Sequence, residues 1–299
     1  MLNSFYEPSP AVNLYHRMPF SPDLTLAVSA TWRHGSGRLD WIVANGLACA
    51  FTPDPERLDL ISRQLAPLLQ RGMAVRHHGY FPGSEIGHAR AEIAENALQL
   101  HFKAIEAVQH VGDPLMTVHV GLDRTLPLDH RRVVKNLTRL VEYGKKRGVT
   151  ISLENLRRGP TANPFTLLDW ARRSGAGITL DVGHAVSSRC VFSKAISVEK
   201  IIDLVAERLM EVHFYESETD RHWAPRNMDV LGPIVDKLIT NDCRWWTIEL
   251  EDTLDVVRTR RLLIEHCKKT NTPVFGRPQM EAGRTLPLLN SELENTLIE

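Results

Sequence analysis

Nine side chains are of the types that bind divalent cations and move protons: His78, His119, Glu154, Asp181, His184, His213, Asp220, His222 and Glu249. Imidazole and carboxylate without thiolate form a donor set suited to zinc, manganese, cobalt or ferrous iron. Glu154 and Glu249 stand in otherwise apolar stretches, "SLEN" and "TIEL". There an unpaired carboxylate is costly unless a cation or a hydrogen-bond donor meets it. Taken singly, His78 and His119 read as hydrogen-bonded loop-edge histidines, and Asp181 with His184 in "LDVGHA" reads as a helix cap. His213, Asp220 and His222 in "HFYESETDRH" read as a polar loop. What separates these readings is whether the fold gathers the nine in one place. Together they exceed the needs of one ion, and sharing through a bridging carboxylate suits two or three.

The elements that must position them are eight short apolar runs, at 24–30, 47–53, 74–81, 115–121, 150–155, 177–185, 210–217 and 245–251. Amphipathic stretches with helical period lie between, such as "PERLDLISRQLAPLLQRG" and "HRRVVKNLTRLVEYGKKRG", and Gly72, Gly112, Gly148 and Gly175 supply stop signals. Eight strand–helix units predict an α/β protein with a single (β/α)8 barrel over residues 1–269. The first unit is the weakest, because "RLDWIVANG" is short for a helix. Residues 270–299 lack a strong period and are expected to wrap the barrel surface. In such a barrel the chemistry gathers where strands end, and all nine side chains fall late in a strand or just beyond one.

Lys plus Arg equals Asp plus Glu, 36 each, so no global positive field exists to draw in a nucleic-acid backbone. Cys49, Cys190, Cys243 and Cys267 form no CxxC pair and read as reduced thiols of a cytoplasmic protein. No apolar run approaches the roughly 18 residues of a membrane span. Arg33, Arg124, Arg157, Arg158, Arg189, Arg221 and Arg226 follow strands, and Arg76 shares a strand side with His78. Guanidinium groups on the catalytic face suit a small anionic substrate, with Arg124, Arg157 and Arg221 as the candidates to bind it. Trp32, Tyr80, Phe81 and Trp223 either wall the mouth or belong to the core.

The ordered combination "SLEN", "LDVGHA", "VHFYES…DRH" and "TIELE" resembles the xylose-isomerase-like TIM-barrel superfamily. That group includes endonuclease IV (AP endonuclease family 2) and many sugar isomerases and epimerases. The resemblance to the endonuclease branch implies that His78 and His119 share one metal with Glu154. It implies further that Glu154, Asp181, His213 and Glu249 hold a second, and His184, Asp220 and His222 a third. The isomerase and epimerase branch implies one ion on Glu154, Asp181, His213 and Glu249, with Glu154 and Glu249 as the catalytic proton carriers. The extra histidines favour hydrolysis. The leading expectation is thus a divalent-metal hydrolase with one to three ions, zinc first and manganese, cobalt or iron as alternatives. Its substrate is expected to be a small anionic metabolite: a phosphorylated metabolite, a sugar or a corrinoid, the last as in the cobamide-remodelling branch. A metal-dependent sugar isomerase or epimerase is the alternative, and an abasic-site DNA endonuclease stands behind both. One departure from the pattern is "WAPRNMDVLG", where many relatives carry a Gly-rich turn after the Asp-x-His pair.

Overall fold

Each apolar run becomes a strand whose residues alternate between the helix layer and the barrel interior. The computed structural model describes residues 24–270 and 272–275. Its barrel strands are β1 (Leu24–Thr31), β2 (Ala48–Thr52), β3 (Val75–Gly79), β4 (Leu115–Val118), β5 (Thr150–Glu154), β6 (Gly177–Asp181) and β7 (Leu209–Phe214). A hairpin of β8 (Ser217–Glu218) and β9 (His222–Trp223) follows, and β10 (Trp245–Ile248) completes the ring. The eight barrel strands pair in parallel in sequence order, and β10 closes on β1 from Thr25↔Trp245 to Val28↔Ile248. A short strand β11 (Val274–Phe275) pairs in parallel with the start of β1. The rest of the expected tail, 276–299, lies outside the described residues.

The outer layer comprises α1 (Gly35–Ala44), α2 (Ile61–Leu69), α3 (Ala91–Val108), α4 (His130–Lys146), α5 (Pro164–Ser174), α6 (Val182–Ser187), α7 (Arg189–Phe192), α8 (Val198–Val205), α9 (Gly232–Thr240) and α10 (Thr253–Lys269). Local chemistry sets their ends. Asp129 caps α4 by accepting from the Arg131 and Arg132 amides, and Asp252 caps α10 the same way through Leu254 and Asp255. Asn163 caps α5, Pro164 opens it, and Gly175 ends it in the left-handed region at φ 80. Helix α4 buries Val133, Leu137 and Leu140 on one stripe against the strands. Side chains buried this completely each contribute about 1.5–3 kcal/mol relative to exposure. The first unit, short in sequence, still forms a helix of ten residues. Buried Arg38 on α1 donates to the carbonyls of Ser29, Leu250 and Glu251 and so ties the end of β1 to the segment after β10.

The barrel interior is polar, which the apolar appearance of the runs does not suggest. Along β3 to β7 and β10 the lower interior positions carry Arg76, Thr117, Ser152, Thr179, Glu211 and Thr247, with Thr117 paired to Ser152 and Thr179 to Glu211. Two residues further along, His78, His119, Glu154, Asp181, His213 and Glu249 form the layer above. Hydrogen bonds tie much of the lower layer together, Thr117 to Thr179 at 2.8 Å, Thr179 to Ser152 at 2.7 Å and Thr247 to Glu211 Oε1 at 2.7 Å, while Glu211 Oε2 has no hydrogen-bond partner. Arg76 does share a side with His78, as expected, but it lies deeper. It is 7% exposed and pairs with Asp113 at 2.8 Å and Glu211 at 3.5 Å. It is therefore part of the barrel floor and faces no substrate.

Candidate metal centre

The upper layer opens at the C-terminal ends of the strands. Glu154 ends β5, Asp181 ends β6, His78 and His213 are the penultimate residues of β3 and β7, and His119 and Glu249 directly follow β4 and β10. Glu154 is 1% exposed and sits at the centre. Its Oε2 lies 3.1 Å from His119 Nε2, 3.3 Å from His78 Nε2 and 3.1 Å from His213 Nδ1. The two Nε2 atoms of His78 and His119 are 3.3 Å apart. Glu249 Oε1 stands 3.5 Å from His213 Nδ1 and 3.6 Å from His78 Nδ1. On the other side, Glu154 Oε1 is 3.6 Å from His184 Nδ1, and Asp181 Oδ2 is 3.3 Å from the same nitrogen.

The separations around Glu154 Oε2 and Glu249 Oε1 fit a cation. Metal–ligand bonds of about 2.0–2.1 Å in a tetrahedral shell put neighbouring donor atoms about 3.3 Å apart. The hydrogen-bond inventory agrees, since Glu154 Oε2, His119 Nδ1 and both ring nitrogens of His213 are buried without a hydrogen-bond partner. Leaving such groups unpaired is costly, and an ion that accepts lone pairs from Glu154 and His213 removes much of the penalty. The local fields point the same way. Burial works against the Glu154 carboxylate, but the His119 and His213 imidazoles outweigh it and hold the acid well below its usual range. Burial also opposes a charged His213, yet Glu249 and Glu154 raise it well above an ordinary imidazole. Burial lifts Asp181 to about 6, partly offset by His184.

A second cluster adjoins the first. His184 Nε2 is 3.3 Å from Glu218 Oε2, and His222 completes a group whose donor atoms lie within 4.8 Å of one another. The Nδ1 atoms of His184 and His222 face the carbonyls of Asn155, at 3.0 Å, and Glu249, at 2.8 Å. Nδ1–H donation to those carbonyls leaves each Nε2 as the available ligand atom. Burial disfavours charge on His184, but Asp181 and Glu218 push it up to about 10.

The structure brings together eight of the nine expected side chains and leaves out Asp220. Asp220 is exposed at the hairpin tip, where its carboxylate accepts from the Thr219 hydroxyl at 2.7 Å. The antiparallel register Glu218↔His222 puts Glu218 beside the histidines instead. Asp181 is the cap of α6, its Oδ1 accepting from the His184 amide at 2.6 Å.

Of the arginines expected at the substrate, Arg157 is committed to the hairpin, donating to the Glu218 and Thr219 carbonyls at 2.7 Å and pairing with the Glu218 carboxylate at 3.1 Å. Arg221 lies over the Trp223 ring at 3.9 Å, and Arg124 is exposed. Trp32, Tyr80 and Trp223 are partly exposed, whereas Phe81 belongs to the core.

Three further residues escaped the sequence reading. Tyr215 donates to Asp181 Oδ2 at 3.0 Å and stacks on His222 at 3.9 Å. Buried Glu85 accepts from the Gly87 and Gly121 amides and thereby joins the loops after β3 and β4. Glu211 stands beneath His213, and a strand period of two was the available signal for it.

Comparison with known proteins agrees with this architecture. The chain is 30% identical over 156 residues to the uncharacterized protein MJ0008 of Methanocaldococcus jannaschii, covering 52% of this chain and 67% of that protein. Among solved structures it is similar to the 3-keto-D-glucoside 4-epimerase YcjR of E. coli, with a TM-score of 0.65 and 14% identity over 82% of this chain and 100% of that one. It is also similar to a D-tagatose 3-epimerase-like protein, with a TM-score of 0.66 and 16% identity over 83% and 98% of the two chains. At such identities these two likenesses concern the fold. Residues 40–266 match the family model described as xylose isomerase-like TIM barrel, and with the closed eight-stranded ring in place the chain belongs to that family.

Proposed function

We propose that the protein is a divalent-metal-dependent isomerase or epimerase of a small keto sugar. The observation that carries this reading is the placement of two carboxylates, Glu154 and Glu249, 3.1 Å and 3.5 Å from His213 Nδ1, at the open end of the barrel. A bound divalent ion, zinc first and manganese, cobalt or iron as alternatives, would supply Lewis-acid polarisation of a carbonyl oxygen. His78, His213 and Glu249, whose donor atoms lie within 4.8 Å of one another, would hold it together with Glu154, 3.1 Å from His213 Nδ1. Such polarisation would acidify the hydrogen on the carbon next to the carbonyl. Glu249, 8% exposed and nearer the mouth than the 1% exposed Glu154, removes or returns that proton, and Glu154 serves the opposite face. Tyr80, whose ring centre lies 5.5 Å from that of His119, offers an apolar edge for a sugar ring.

This reading takes precedence over the hydrolase that the sequence put first. The structural likenesses are to proteins described as sugar epimerases. Arg157 is tied to the hairpin and does not wait for an anion. One observation favours hydrolysis as a second reading: the adjoining cluster of His184, Glu218 and His222 has donors for an additional ion. Paired ions suit attack by an activated water on a phosphoester.

Incubation of the metal-loaded protein with a panel of ketoses in deuterated water separates the two. Deuterium at the carbon next to the carbonyl, with an isomer or epimer as product and loss of exchange in Glu249→Gln, is the expected result. Cleavage of phosphorylated compounds without any carbon-bound deuterium overturns it in favour of hydrolysis.

A further inference from the structure

We infer that Glu211 is a positioning residue for the metal centre, holding the His213 ring with Nδ1 toward Glu154 and Glu249. The inference rests on the proposed metal site and extends it to a side chain outside the ligand set. Glu211 precedes His213 by two residues on β7, so the two share the interior side of the strand one layer apart. Glu211 Oε1 lies 3.4 Å from His213 Nε2, on the opposite edge of the ring from Nδ1. Both side chains are buried, at 1% and 0% exposure, so neither is open to bulk water.

The carboxylate is itself fixed. Oε1 accepts from Thr247 Oγ1 at 2.7 Å, and Oε2 faces Arg76 Nη1 at 3.5 Å. Arg76 is anchored in turn by Asp113 at 2.8 Å, by the Met210 carbonyl at 3.0 Å and by the Trp245 ring at 4.4 Å. A fixed negative group beneath Nε2 favours the tautomer with its proton there. That leaves the Nδ1 lone pair for a cation between Glu154 and Glu249. Carboxylates behind metal-bound histidines act in this way, and their loss lowers metal affinity about 10–100-fold. His213 Nε2 stands at ion-pair distance without an aligned hydrogen bond, and capture of a cation at Nδ1 is expected to draw the Nε2–H onto Glu211.

The test measures Zn²⁺ affinity by competition with a chromogenic chelator for wild type, Glu211→Gln and Glu211→Ala. It is joined by the visible spectrum of the Co²⁺-loaded proteins and by ¹⁵N NMR of the histidine rings. Expected are affinity lower by about 10–100-fold in Glu211→Ala, a smaller loss in Glu211→Gln, and a shifted Co²⁺ band in both. In the Zn²⁺-loaded wild type, His213 should carry its proton on Nε2. Should Glu211→Ala fail to fold, Glu211→Gln, which keeps the shape, decides. Variants that bind Zn²⁺ within twofold of wild type, with an unshifted Co²⁺ band, overturn the role of Glu211 while leaving the metal site intact. Wild-type protein that binds neither ion overturns the metal site and this inference together.

Discussion

The glycine of "LDVGHA" is a sharp test of how the centre is built, and Gly183→Ala is the perturbation. A Cβ at this position would lie 2.0 Å, 2.3 Å and 2.5 Å from three atoms of the Tyr215 ring. The ring has to retreat by about 1.5 Å to restore ordinary carbon contact. It is held on one face by His222, stacked at 3.9 Å, and at its tip by Asp181, which accepts from the hydroxyl at 3.0 Å. Overpacking of this kind costs about 1–3 kcal/mol, and a lost hydrogen bond to a charged group about 1.5–3 kcal/mol. The combined loss of about 2.5–6 kcal/mol lowers the melting temperature by about 4–10 °C in a chain of this size. The same movement displaces His222 and Asp181, so Zn²⁺ affinity should fall as well. Thermal unfolding by circular dichroism and chelator competition read the two effects. A variant with wild-type melting temperature and wild-type affinity refutes the argument that Gly183 is present to admit the Tyr215 ring.

Other expectations follow from the same structure. Glu218→Ala should remove Zn²⁺ bound at the outer cluster, whereas Asp220→Ala, at an exposed position, should leave metal stoichiometry unchanged; elemental analysis of both variants checks the assignment. His101 is buried on α3 and donates from Nδ1 to the Ala97 carbonyl, and burial pulls its titration down to about 4 from 6.5. The unfolded chain therefore binds a proton between those values that the folded chain does not, so the contribution is complete above pH 6.5 and is lost as the pH falls toward 4. The loss approaches about 3 kcal/mol, and urea unfolding should show His101→Gln losing less stability than wild type between neutral and acid pH by about that amount. An equal acid loss in the two proteins would show that His101 is not the group responsible.

The strands and the rim residues were legible because apolar runs of strand length repeat eight times, several of them preceded by a glycine, and because strand ends are where barrel chemistry collects. Depth was not legible. The period of two told that Arg76 and His78 share a side but not that Arg76 sits at the floor, which depends on its partners Asp113 and Glu211 from distant segments. The hairpin misled for a related reason. Sequence spacing singled out Asp220 and His222, but the pairing of Glu218 with His222 decides which carboxylate faces the histidines, and the short strands β8 and β9 carry no apolar pattern from which to read it. Tyr215 left no signal of its own, and only Gly183 opposite it marks the space that its ring occupies.

The most direct test is elemental analysis of the purified protein and of Glu154→Ala, before and after dialysis against a chelator. Expected are at least one divalent ion per wild-type chain, removal by the chelator with a fall in melting temperature that added Zn²⁺ reverses, and markedly less metal in Glu154→Ala. A wild-type protein that carries no metal, gains none on addition, and melts at the same temperature with and without chelator would contradict the proposed metal centre.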